Sequence, residues 1–110
     1  MNKEELLKTF PEFKELVHQR IQREPEFAIG LFREAMQCFI DGEAEVGKSM
    51  LRDYIMGTIG WKELARMMNK HDKSLMRMLS RHGNPQADNF FEIIQQLQKH
   101  NGLKVSVSVS

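Results

Sequence analysis

The stretch Trp61–Ser80, WKELARMMNKHDKSLMRMLS, decides how this chain folds. Leu64, Ala65 and Met68 mark one apolar stripe; Leu75, Met78 and Leu79 mark a second, both at helical i, i+3, i+4 spacing. The spacing predicts two short helices with a tight bend between them. Ala65 is small where crossing helices need their backbones close. Asn69 falls at the bend, where a residue tolerant of positive φ is wanted, and Asn is such a residue. Lys62, Arg66, Lys70, Lys73, Arg77 and Arg81 occupy the outward positions. A bent helix pair with a basic outer face is what a helix-turn-helix needs: one helix enters the DNA major groove while its partner braces it across the backbone.

The charge distribution agrees. The net charge of +1 conceals a strong asymmetry. Residues 1–59 hold eight Lys/Arg against eleven Asp/Glu, residues 60–82 hold six against two, and residues 83–110 balance. Positive charge confined to the helix pair is the footprint expected of a nucleic-acid contact.

Composition narrows the remaining classes. A chain of 110 residues that is 41% hydrophobic and 28% charged fits one ordinary globular domain with its own core. Its single cysteine, Cys38, rules out a disulfide framework and fits a reducing cytosol; in its apolar helix it reads as a small core residue. His18, His71, His82 and His100 show no metal-ligand spacing with Cys38 or one another, so no metal site is expected. The eight methionines read as adaptable core filling. No apolar run reaches membrane-spanning length, and MNKEELLK lacks a signal-peptide apolar region. Neither a Gly-rich phosphate loop nor a nucleophile–base signature is present. The expectation is a cytoplasmic protein that is not an enzyme and carries no cofactor.

Working outward from the helix pair, residues 1–9 read as a lead-in, with a capping box between Thr9 and Glu12. A helix from about Pro11 to Arg23 is expected to bury Phe13, Leu16, Val17 and Ile21. Pro25 opens a second, with the broad stripe Phe27, Ala28, Leu31, Phe32, Ala35, Met36, Phe39 and Ile40, ended by Asp41-Gly42. A third, from about Glu43 to Met56, turns Val46, Met50, Leu51, Tyr54 and Ile55 inward. Gly47 inside it implies a closely packed neighbour. After the helix pair, RHGNPQ is a turn in which Gly83 and Asn84 can take left-handed geometry. A last helix from about Gln86 to His100 buries Phe90, Ile93, Ile94 and Leu97 and is capped by Asn101-Gly102. Then the period changes: Leu103, Val105, Val107 and Val109 alternate with Lys104, Ser106, Ser108 and Ser110, which is a strand signal. A lone strand needs a partner, so this segment pairs with a second copy, pairs with a partner protein's sheet edge, or frays.

Six stretches carry a family likeness: PEF at Pro25–Phe27, MLRDYI at Met50–Ile55, LARMM at Leu64–Met68, KSLMRML at Lys73–Leu79, GNP at Gly83–Pro85 and FFEIIQQLQ at Phe90–Gln98. Through them the chain resembles lambda-repressor-like regulators and, more narrowly, the small HigA-type antitoxins, or addiction-module antidote proteins. The likeness spans roughly residues 12–105. Two positions depart from the broad pattern: Asn69 stands where Gly is common, and Lys70 where an apolar residue is usual. The resemblance implies the antitoxin of a type II toxin–antitoxin module, which neutralises a RelE/HigB-like toxin and represses its own operon.

The expected fold is therefore all-α, a lambda-repressor-like helix-turn-helix bundle of about six helices with a short C-terminal β-strand. It forms one domain over residues 1–110: an N-terminal helical extension (1–42), the helix-turn-helix core (43–100) and the strand (103–109). Recognition is expected from a helix starting near Asp72. Arg77 reads a guanine O6/N7 pair, Lys73 does the same or binds phosphate, and Met76 touches a thymine methyl unless it is core. Asp72 caps the helix or accepts from cytosine N4, with capping preferred. Lys62, Arg66, Lys70 and Arg81 are expected on phosphates. Specific binding implies a homodimer on a palindromic operator in double-stranded DNA. The competing reading is a protein-interaction module whose helix pair does not bind DNA.

Overall fold

The computed structural model describes residues 11–110, with side chains from Phe13 onward. The lead-in expected over residues 1–9 and the Thr9–Glu12 capping box lie outside the described residues. Six helices form among the described residues: α1 (Pro11–Arg23), α2 (Pro25–Ile40), α3 (Ala44–Gly57), α4 (Trp61–Met68), α5 (Asp72–Met78) and α6 (Ala87–Asn101). No strand is present among them. None of these helices is long and apolar enough to cross a membrane.

The helices start and stop where local chemistry directs. Pro25 occupies the first turn of α2, where its missing N–H costs nothing. At its far end Gly42 takes φ +84°, as its position after the stripe predicts. Between α4 and α5, Asn69 adopts φ +53° and ψ +48°, the left-handed geometry expected of it. The Asn69 N–H donates to the Arg66 carbonyl at 3.2 Å, and the Lys70 N–H to the Ala65 carbonyl at 2.9 Å. Those two bonds close a Schellman motif through the backbone alone. Lys70 can therefore stay exposed, and its polar side chain leaves the turn intact. Asn69→Val, which places a β-branched residue in left-handed geometry, is expected to lower stability by about 1–2 kcal/mol. Asn69→Gly is expected to show no such loss when the two variants are compared by urea titration.

Helix α3 is the axis of the N-terminal half, with α2 packed along it and α1 laid across both, while α4 packs on α5 and α6. A single apolar core joins the halves. Ile21, Leu31, Phe32, Leu51 and Ile55 meet Leu64, Ala65, Met68, Leu75, Leu79, Ile93 and Leu97 in it. At Gly47 a Cβ would lie 3.0 Å from the Phe39 ring and 3.2 Å from the Ala35 carbonyl oxygen, the close approach that its mid-helix position implied.

Two residues assigned inward are not. Leu16 is 60% exposed and Ile40 66% exposed. On α1 the inward face is turned toward His18, whose Nε2 lies 2.8 Å from Oδ1 of the buried Asp53 on α3. Leu16, two residues back, sits about 200° round the helix from it. Ile40 shares with Ile29 the side of α2 that looks toward the C-terminal tail, not the core. The strand expected over residues 103–109 does not form within the chain, because the described residues offer it no edge to pair with.

Tyr54 links the halves. It is 1% exposed and packs on Phe32 at a centroid distance of 4.9 Å. Burial pushes its phenol up to about 12, with the Asn101 side chain opposing. Folding thus favours the neutral phenol. That contribution is fully present below the unfolded value of about 10 and is lost as pH rises through the folded one. As this is the chain's one tyrosine, ultraviolet titration of tyrosinate reads it alone. The expected midpoint is near 12 for the folded chain, falling to about 10 in denaturant. A folded midpoint at the denatured value would contradict the burial.

Candidate nucleic-acid interface

Helix α5 has seven residues, too few to persist alone, and is held by what lies behind it. Leu75 and Leu79 are fully buried and Met78 half-buried against the shared core. The opposite face carries Lys73, Met76 and Arg77 at i, i+3 and i+4, all exposed. Met76 is 39% exposed, so it faces outward with the two cations and is not core. These three form one continuous surface.

Asp72 differs from expectation. His71 is the residue preceding the first helical turn, and its side chain makes no capping bond. Asp72 is the first helical residue; its Oδ1 accepts from the Lys73 backbone N–H at 2.8 Å. The carboxylate serves the first turn without being the N-cap, because the backbone enters the helix one residue earlier than a capping Asp72 would require.

The four residues expected on phosphates, Lys62, Arg66, Lys70 and Arg81, are all exposed, but two are engaged. Arg66 holds Glu63 through both carboxylate oxygens. That pairing keeps the Glu63 carboxyl below its ordinary range and raises the guanidinium of Arg66 above its own. Arg81 pairs with Glu45 at 2.7 Å across the α3 N-terminus. Both pairs are exposed, so each costs little to exchange for another anion. Among the described residues, Lys62, Lys70, Lys73 and Arg77 form no ion pair.

Two residues that sequence reasoning passed over fix the far end of α5. Lys48 on α3 is 8% exposed, and its Nζ donates to the Arg81 carbonyl at 3.2 Å and the Gly83 carbonyl at 2.7 Å. Arg52, one turn on, donates from Nη1 to the Leu79 carbonyl. Arg52 thus satisfies the carbonyl at the C-cap of α5, and Lys48 two carbonyls of the turn that follows it. The only sequence signal was their i, i+4 spacing on a helix whose inward stripe is largely apolar. Gly83 also has a different reason from the one expected. Its φ is not positive; instead a Cβ there would lie 1.9 Å from the Arg77 carbonyl oxygen. The chain turns back hard against α5, and only glycine fits.

Other chemistry-bearing residues do not join this surface. Cys38 is half-buried; its thiol is pushed up by burial and then by Glu43, Glu34 and Asp41, which keeps it protonated at neutral pH. Among the described residues no three His, Cys, Asp or Glu side chains converge as metal ligands. No family model, curated protein or solved structure matches the chain.

Proposed function

We propose that the chain is a sequence-specific DNA-binding repressor, with α4 and α5 as a lambda-repressor-like helix-turn-helix and α5 as the recognition helix. The observation that carries this reading is the exposed Lys73–Met76–Arg77 face, braced from behind by Leu75 and from its end by Lys48 and Arg52. Base reading needs such an arrangement, because side chains on an unsupported helix cannot hold a fixed register against base edges. Arg77 reads guanine, Lys73 supports it or takes a phosphate, and Met76 meets a thymine methyl. Asp72, the first residue of α5, accepts from cytosine N4. Lys62, Lys70, Arg66 and Arg81 contact phosphates, the two arginines after releasing Glu63 and Glu45.

One α5 spans few base pairs, so the active species is a homodimer on a palindromic operator, with half-sites about 34 Å apart. A molecule of 38 × 33 × 29 Å suits that spacing when two copies lie side by side. The resemblance to HigA-type antitoxins supports a further role in the cytoplasm: neutralising a RelE/HigB-like toxin encoded beside it and repressing the shared operon. Lack of a small basic toxin gene next to this one would count heavily against that role.

The direct test is binding to a palindrome upstream of the gene at several salt concentrations. Arg77→Ala is expected to lower operator affinity by about 1–3 kcal/mol per half-site and relax base preference at one position, with helix content and melting unchanged. Lys62→Ala is expected to weaken all sequences alike and flatten the salt slope by about 0.9. Full operator preference in the Arg77 variant would remove Arg77 from the reading face.

A further inference from the structure

The tail LKVSVSVS leaves the core one residue at a time. Leu103 is half-buried, Val105 36% exposed, Val107 73% and Val109 93%. Its first two odd-numbered amides are turned toward α6: the Leu103 N–H donates to the Gln98 carbonyl at 3.0 Å, and the Val105 N–H to Gln98 Oε1. In strand geometry alternate residues present their N–H and C=O groups to the same edge. With the odd residues committed inward, Lys104, Ser106 and Ser108 offer a free outer edge. Beside it runs an apolar groove between the tail and α2, lined by Ile29, Met36, Ile40, Val105 and Val107.

The geometry points to this tail as the dimer interface, paired antiparallel with the same segment of a second copy about a twofold axis centred on Val107. Charge selects the occupant. The charged side chains lining the groove are Arg33 and Lys104, both cationic, which repels a basic partner. From Val105 onward the tail carries no charged side chain, so an acidic strand pairing along this edge would find a cation only at Lys104. A second copy requires no charge, since an alternating valine–serine strand is its own complement: valine meets valine and serine meets serine. Val107 is the first valine free of Gln98, and centring on it pairs residues 104 to 110. Each Lys104 then lies opposite a serine, about 20 Å from its symmetry mate, so the lysines do not repel. Because the even residues carry the ladder bonds, the two Val107 residues form a non-hydrogen-bonded pair with Cα atoms about 4.5 Å apart. The six valines make one apolar face, continuous with Ile29, Met36 and Ile40.

This deepens the DNA reading, which needs two copies, but it is tested without DNA, so either can fail alone. Light scattering on the full-length chain at micromolar concentration is expected to give twice the chain mass. Val107→Lys, which sets two like charges face to face, is expected to give the monomer mass, whereas Ser106→Lys, opposite a serine, keeps the dimer. Circular dichroism should show the same helix content in all three. In a Cys38→Ser background, Val107→Cys is expected to cross-link on mild oxidation. Val109→Cys should not, because the two copies of residue 109 lie about 13 Å apart, beyond the roughly 7 Å Cα limit for a disulfide. A monomeric wild type, an unchanged mass for Val107→Lys, or equal cross-linking at 107 and 109 would each overturn the proposal. So would a wild-type monomer that gains mass only with the neighbouring gene's product, which would assign the tail to a partner protein's sheet edge.

Discussion

Replacing His18 with leucine is expected to lower the unfolding free energy by about 3 kcal/mol, although the residue is remote from the basic face. Asp53 on α3 is 1% exposed, and the His18 Nε2 contact at 2.8 Å is its close polar partner. Lys14 Nζ stands 4.0 Å away on a side chain that is 44% exposed, too far and too solvated to replace it. Leucine in place of His18 would strand a buried carboxyl group, and the cost of a broken buried pair falls on the partner left behind. The reverse substitution should be milder. His18 keeps 18% of its side chain exposed, so Asp53→Leu leaves an imidazole that water can still reach. That variant should lose about 1 kcal/mol, and the double variant His18→Leu/Asp53→Leu should recover most of the His18 loss. Urea titrations of the four proteins close the cycle. A His18→Leu loss within about 0.5 kcal/mol, the usual range for surface changes, would mean that the pair does not secure α1.

Leu75→Ala is expected to have a similar or larger effect, about 2–5 kcal/mol, with melting lowered by about 4–8 °C per kcal/mol. Leu75 is fully buried, and it is the one buried residue within the seven of α5. A helix that short has no stability of its own, so its apolar anchor carries it. Truncation would leave a cavity in the core and free the Lys73–Met76–Arg77 face from its support. Operator binding should therefore fail below the melting temperature of the variant. Leu16→Ala, at a position 60% exposed, is the control and should change melting little. An unaltered melting curve for Leu75→Ala would contradict the packing of α5.

Much of this molecule could be read before it was folded. The six helices follow stripes of period 3.6, and Gly42 and Asn69 stand at turns because positive φ admits few residue types. The outward positions of Lys73 and Arg77 follow from the inward ones of Leu75 and Leu79 on the same short helix. Other features were not readable. The sequence showed six cations on the helix pair but not that Arg81 already holds Glu45. It marked Gly83 as a turn residue, yet the reason glycine is required is the Arg77 carbonyl oxygen pressed against it.

What the sequence by itself determined, then, is local: helix, turn and cap, and which side of each short helix is apolar. These depend on residues within about one turn of one another, whose spacing the backbone fixes. Tertiary structure alone decided which way α1 faces, exposing Leu16 and burying His18 against Asp53, 35 residues away. It also decided that Lys48 and Arg52 reach carbonyls 27 to 35 residues further on to hold the end of α5. Long polar side chains can end almost anywhere, and only packing against distant segments selects where.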